Sequence, residues 1–548
     1  MSKVIELYDC TLRDGQQGNR IKFATAQQMV EYARKAREWN AIIEGGFPES
    51  NPKDLEFFKL INEEEPELRP YISAFGGTKR VAVKIEKDEG VQALVRAETE
   101  IVTLVGKSDE KHVKEALGLK FEGGLDANLG LIHDTVHYFK RLDKRVIFDA
   151  EHFFQGFNRN PEYALKSLKK AYDAGADTIV LCDTNGWVVS HNFLKKAITS
   201  AQQTIPKANL GIHTHHDALM GTSNTVHAVE LGVTHVQGVW NGYGERTGNA
   251  NLTAIVPNVQ ILLSEQTGIE YRLVPPEKIK DITPFSRNLE IMLNLPHDRK
   301  NSWAGSDTFT HKAGYHASAV LKNPALYEAI PAETVGNNRR IGMSELGGRS
   351  NYTHLFDGDK QAASEFSKRI NKLEHKGWEF DAAPDTVMLY AARERGVDTN
   401  IMEGFPKYRI EVHGNSANEV ESLASIRAKL PEEETYQWST AQGDGPVNAL
   451  DIAAKQRLGK EYPILNQLKL TNYAVRIKED PEHKEEHEGT GSLVWVSIES
   501  KYNGSVIQTG ALHENIIEAT RQALFDSYRI LILKDKGILS EAGIVIKE

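Results

Sequence analysis

His213 and His215 stand two residues apart at the end of the run Leu210-Gly211-Ile212-His213-Thr214-His215. Side chains alternate faces along a strand, so both imidazoles point the same way. That is metal-ligand geometry. Asp14, in Leu12-Arg13-Asp14-Gly15 after the first apolar run, offers a carboxylate. Two imidazoles and a carboxylate suit a borderline divalent cation such as Mn, Zn, Co or Mg, and they leave coordination positions open for substrate oxygens. Each signal alone has a plainer reading. Strand histidines often serve structure or surface, and Arg13-Asp14 reads equally as a surface ion pair that contributes little. The signals gain force only if the fold brings the two segments together.

Residues 1 to about 268 provide elements that do so, alternating short apolar runs with amphipathic stretches. The runs are Val4-Ile5-Glu6-Leu7-Tyr8, Ala41-Ile42-Ile43-Glu44, Tyr71 to Phe75, Thr99 to Val105, Arg145 to Asp149, Thr178 to Cys182, Leu210 to His213 and His235 to Val239. Eight strand-helix units of this length match a closed (β/α)8 TIM barrel; an open doubly wound sheet would also need a reversal of strand order. Polar residues gather where strands end: Asp9 to Gln17, Glu44, Glu151, Asp183-Thr184, His213 to Asp217 and Asn241 to Asn249. In a barrel these line one face, the face that carries active sites. First and seventh strands are two apart around the ring, so Asp14 and the histidine pair share one mouth.

The fold class is therefore α/β, a TIM barrel over 1–268, followed by a helical linker over 269–396 and a C-terminal α+β domain over 397–548. The linker carries Pro275-Pro276, Pro284 and the two histidines of Phe309-Thr310-His311-Lys312-Ala313-Gly314-Tyr315-His316. From about residue 400 the rhythm becomes short strands and then a helix, done twice, as in a pseudo-symmetric domain. The acidic stretch from Glu479 to Glu488 between the halves reads as a solvated loop. With Lys+Arg at 66 against Asp+Glu at 76, a net charge of -10 draws the chain to neither nucleic acid nor anionic lipid. Cys10 and Cys182 are the two cysteines, too few for a disulfide framework, and MSKVIELYDC lacks a signal-peptide core. A soluble cytoplasmic protein is expected, with no membrane partner.

Asp9-Cys10-Thr11-Leu12-Arg13-Asp14-Gly15-Gln16-Gln17, the pair His213-Thr214-His215 and Asn241-Gly242-Tyr243-Gly244-Glu245-Arg246-Thr247-Gly248-Asn249-Ala250-Asn251-Leu252 resemble the DRE-TIM metallolyase superfamily, and within it the 2-isopropylmalate, homocitrate and citramalate synthases. Ile43 to Pro48, Ser50 to Asp54, Gly106-Lys107-Ser108, Asp149 to Phe154 and Gly443 to Asp451 are most similar to the (R)-citramalate branch. The resemblance spans nearly the whole chain. It implies condensation of acetyl-CoA with pyruvate to (R)-citramalate, in isoleucine biosynthesis, and a C-terminal regulatory domain of the leucine-synthase type that binds an amino-acid effector. A homodimer is implied too.

Residue by residue, the resemblance assigns the metal to Asp14, His213 and His215, with Asn249 as a further or outer ligand. Arg13 would bind the oxo acid and stabilise the alkoxide that develops on it. Thr184 resembles the residue whose hydroxyl binds the substrate carboxylate, although a strand-end threonine also caps helices. Gln17 and Glu44 would face the substrate, Glu44 reading otherwise as a strand-end charge. Glu151 resembles a residue on the acetyl-CoA side. The base for the acetyl methyl would be His316, with His311 as second choice, reaching a neighbouring subunit's barrel from the linker. Departures are His216 in place of Asn, Trp187-Val188-Val189 in place of smaller residues, Cys10 in place of Thr, and Ser302-Trp303-Ala304-Gly305. The first two bear on the oxo-acid pocket and keep a larger acid, such as 2-oxoisovalerate, as the alternative. A carbon-carbon lyase is disfavoured by the C-terminal domain, and a non-catalytic amino-acid sensor by the intact Arg13, Asp14, His213 and His215.

Overall fold

The eight runs close into a parallel barrel. Its strands are β1 (Glu6–Asp9), β2 (Ile42–Gly46), β3 (Ile72–Gly77), β4 (Ile101–Lys107), β5 (Arg145–Glu151), β6 (Thr178–Asp183), β7 (Asn209–Thr214) and β8 (His235–Gly238), in that order around the ring. The structure is a computed structural model that describes residues 2–119, 123–342, 349–399, 407–414, 420–430, 433–478, 492–502, 505–540 and 543–544. Register runs from Ile101↔Arg145 to Lys107↔Glu151 between β4 and β5, and closure is made by β1 on β8, from Glu6↔His235 to Asp9↔Gly238. Both faces of such a sheet are covered, which explains near-continuous apolar strands; all six residues of β6 are buried. Period two fills the lumen with Tyr8, Cys10, Ile42, Ile101, Ile147, Val180, Cys182 and Val239.

Several of the helices between strands start from side-chain caps. Thr25, Asn51, Asp88, Asn160 and Ser190 each accept a backbone N–H of the first turn that follows. The first run is two strands rather than one. Ser2–Val4 pairs with Glu270–Arg272 outside the barrel, and the chain changes partner at Ile5, whose N–H goes to Arg272 while that of Glu6 goes to Thr234. At the N-terminal end of the barrel Arg145 Nη2 and His235 Nδ1 meet Glu6 Oε2 at 2.6 and 2.8 Å.

The chain divides into two compact units, Met1–Phe309 with Pro331–Asn338 and Thr310–Ile330 with Arg339–Glu548, so the stretch 269–396 is shared between them. In the second unit the doubled pattern is present: β9 (Lys407–Gly414), β10 (Val420–Ala428) and β11 (Gln437–Gly443) form one antiparallel sheet, followed by helix α1 (Pro446–Leu458). Next, β12 (Lys469–Lys478), β13 (Leu493–Tyr502) and β14 (Ser505–His513) form another, followed by α2 (Ile516–Asp535). One core unites them with the preceding helices: Phe366, Ile370, Val387 and Leu389 are buried in the same cluster as Ile426, Leu450, Val496 and Leu531. The acidic stretch expected to be a solvated loop lies outside the described residues. Among the described residues no helix is long and apolar enough to cross a membrane.

Candidate active site

At the C-terminal mouth of the barrel, Asp14, His213 and His215 are all buried and place one ligand atom each within 4.8 Å of the others. The Nε2 atoms of the two imidazoles are 3.3 Å apart, and His213 Nε2 is 3.7 Å from Asp14 Oδ2. Burial first, then the neighbouring His213, push His215 down to about 4; burial lowers His213 as well, against the pull of Asp14. Both shifts favour the neutral ring, the form that coordinates metals. Burial alone would raise Asp14, but Arg13 and then the two histidines overrule it and hold the carboxyl well below its usual range. Asn249 Nδ2 donates to Asp14 Oδ1 at 2.9 Å, while Asn249 Oδ1 is buried without a hydrogen-bond partner. Two imidazoles and a carboxylate converging within 4.8 Å fit a divalent cation.

Arg13 stands beside this cluster, its Nη1 3.0 Å from Asp14 Oδ2 and its Nε donating to Glu44 Oε2 at 2.7 Å. The guanidinium lies over the Phe75 ring, 3.9 Å from its centroid. Glu44 is fixed in turn: Tyr8 Oη donates to Glu44 Oε1 at 3.0 Å, and Thr103 and Ser73 continue the chain at 2.6 and 2.8 Å. Glu44 is thus more than a strand-end charge, because it orients Arg13 from beneath the mouth. Asp149 shares this interior. Burial first and then Glu44 push its carboxyl up to about 8.

Around the rim, Glu151 pairs with Lys107, both on strand ends that extend past their apolar runs. Thr184 does not cap the next helix, a role taken by Ser190; its Oγ1 instead accepts the N–H of His152 at 2.9 Å, leaving the hydroxyl proton for another acceptor. Arg246 grips Asp217 through Nε and Nη2 at 2.7 and 2.9 Å and donates to the Thr184 carbonyl at 2.8 Å, joining three strand-end loops. Gln17 is exposed and lines a cavity of about 440 Å³ with Gly244 and Arg246. The glycines of this last loop are required: a Cβ on Gly244, at φ +142°, would run into Asn249 Nδ2, and one on Gly248, at φ +94°, into the Gly242 carbonyl.

Residues 4–274 match the HMGL-like family, residues 304–365 the homocitrate synthase post-HMGL domain-like family, and residues 395–532 the LeuA allosteric (dimerisation) domain. The (R)-citramalate synthase of Aquifex aeolicus (strain VF5) is 38% identical over 98% of this chain and 100% of its own length. That of Geobacter sulfurreducens is 36% identical over 98% of this chain and 99% of its own. The chain belongs to the (R)-citramalate synthase family. The 2-isopropylmalate synthase of Aliivibrio salmonicida is more distant, 25% identical over 96% of this chain and 95% of its own.

The positions at which this member of the (R)-citramalate synthase family departs from the expected pattern have defined places. His216 bonds Thr222 Oγ1 through Nε2 at 3.0 Å and lines a cavity of about 860 Å³ together with Ser302 and Trp303, two residues of another departure. Trp187 sets its edge on Phe193. His311 and His316 belong to the second unit. His311 Nε2 is 3.1 Å from Glu328 Oε1, and the exposed His316 stacks on Tyr327 with centroids 4.1 Å apart. Sequence reading missed Gln237, Asp149, Tyr8 and Thr103. The signal was available, since Gln237 is a buried polar residue inside an apolar run, at the alternation that faces the lumen.

Proposed function

We propose that this chain joins acetyl-CoA to pyruvate and hydrolyses the thioester, releasing (R)-citramalate and CoA. What carries the reading is the convergence of Asp14, His213 and His215 within 4.8 Å beside an Arg13 clamped by Glu44, in a chain aligned end to end with relatives named (R)-citramalate synthase. A divalent cation bound by Asp14, His213 and His215, with Asn249 as a further or outer ligand, supplies Lewis acidity toward the 2-oxo acid. Arg13 is held by two carboxylates and so meets the growing negative charge on the former keto oxygen without reorganising. The Thr184 hydroxyl proton donates to the substrate carboxylate. Glu44 keeps Arg13 in place, Gln17 lies at the rim on the substrate side, and Glu151, beside Lys107, serves the acetyl-CoA side.

His316, with His311 as second choice, takes a proton from the acetyl methyl group. The methyl carbon then bonds to the keto carbon, the keto oxygen becomes an alkoxide that is protonated, and water cleaves the thioester so that CoA leaves as its thiol. The match to the LeuA allosteric (dimerisation) domain supports a homodimer under allosteric control, and isoleucine, as end product of the pathway, is the proposed effector. The enzyme is expected in the cytoplasm.

The deciding experiment follows CoA-thiol release across a panel of 2-oxo acids, with the product identified by mass. Pyruvate should give the highest kcat/KM. A higher value for 2-oxoisovalerate or 2-oxobutyrate would overturn the assignment, and His216 and Trp187 would be the first positions to exchange.

A further inference from the structure

Gln237 ties a proposed metal ligand to the barrel interior. Its Oε1 lies 2.8 Å from His213 Nδ1, and its Nε2 donates to Asp149 Oδ1 at 3.0 Å. All three residues are buried, Gln237 completely. They sit on different strands, with His213 on β7, Gln237 on β8 and Asp149 across the lumen on β5. The amide is set with its NH2 group donating to Asp149 Oδ1 and its own oxygen toward His213. A carbonyl oxygen only accepts, hence Nδ1 of His213 carries the ring proton and Nε2 carries the lone pair. That lone pair points to where His215 Nε2 and Asp14 Oδ2 converge, at 3.3 and 3.7 Å. The opposite orientation of the amide would set its NH2 against Nδ1, move the proton to Nε2, and aim a hydrogen at the site.

We propose that Gln237, anchored by Asp149, is a positioning residue that selects the Nδ1–H tautomer of His213 and so prepares the site to take its cation. The inference rests on the metal reading above and adds the residue that makes His213 a ligand. The choice of an amide has a consequence. A carboxylate on Nδ1 would raise the basicity of the imidazole, whereas a neutral amide fixes the tautomer and leaves a bound cation more electrophilic.

The test is Co(II) titration of the metal-stripped full-length enzyme, followed through the visible absorption of the ion and by competition with a chelator. Gln237→Leu removes both hydrogen bonds at similar volume and should weaken Co(II) binding by about 10- to 100-fold. Gln237→Glu keeps an oxygen toward Nδ1 and should retain most of the affinity. Wild-type affinity in Gln237→Leu, or equal losses in both variants, would overturn the proposal. Independently of either variant's folding, apo enzyme labelled with 15N-histidine should show His213, assigned by its loss in His213→Asn, as the Nδ1–H tautomer; the Nε2–H form would also overturn it. Failure of wild-type enzyme to take Co(II) would count against the metal reading, and the histidine spectrum would still judge the tautomer.

Discussion

Asp14 and the histidine pair stand about two hundred residues apart in the chain, yet their meeting follows from two rules: period two along a strand and closure of the ring. Removing either imidazole should therefore remove the metal. His213→Ala and His215→Ala are expected to lose stoichiometric binding and turnover while keeping the wild-type circular dichroism spectrum, and full activity after rigorous chelation would rule the site out. Arg13 is a stricter case. Its Nε–H and Nη1–H are engaged by Glu44 and Asp14, a fork that lysine lacks. Arg13→Lys should lower kcat by about 10²- to 10³-fold with a smaller effect on KM for the oxo acid. A change confined to KM would make Arg13 a binding residue only. Gln237 and Asp149 were harder to read from sequence, because no spacing rule says which inward polar residue of one strand will face which of another across a lumen.

The strands themselves were legible because burial on both sides writes an apolar run that survives any detail of packing. Partners outside the run were not. Val4 and Tyr8 look like one strand, but the segment splits where Ile5 turns to Arg272, a pairing that local sequence does not announce. Just past that split, the Glu6 network closes the N-terminal end of the barrel. Burial would raise Glu6, but the hydrogen bonds from His235 and then Arg145 bring it from 4.5 down to about 2. A carboxylate with a depressed pKa contributes stability that is complete above 4.5 and is lost as pH falls through 2. The contribution is about 3 kcal/mol at most. Glu6→Gln should be less stable than wild type at neutral pH, and the gap in unfolding free energy should narrow between pH 4.5 and 2. A constant gap would mean that packing, not charge, carries the contribution. At the opposite end, Gly244→Ala places a methyl group on Asn249 at a φ that costs an alanine roughly 1–3 kcal/mol, and it should lower both the melting temperature and Co(II) affinity.

The largest scale decides how assembly must be tested. The helices before residue 400 bury Phe366, Ile370, Val387 and Leu389 in the same core as the doubled sheets. Truncation at residue 400 would strip those side chains of cover at about 1.5–3 kcal/mol each and unfold what remains of the unit. Loss of isoleucine inhibition in such a fragment would say nothing about where isoleucine binds. Full-length chains avoid the difficulty. Asp14 lies in the barrel unit and His316 in the other; on the proposed function, a base supplied by the partner subunit would make each site composite. His316→Ala and Asp14→Asn should each be inactive alone. When the two are mixed and allowed to exchange, half of the dimers are mixed, and each mixed dimer holds one intact site and one doubly defective site. Activity should therefore return to roughly a quarter of wild type. Exchange is verified by native mass spectrometry. No recovery after exchange would mean that each chain furnishes its own base, and recovery in the His311→Ala mixture alone would transfer the role to His311.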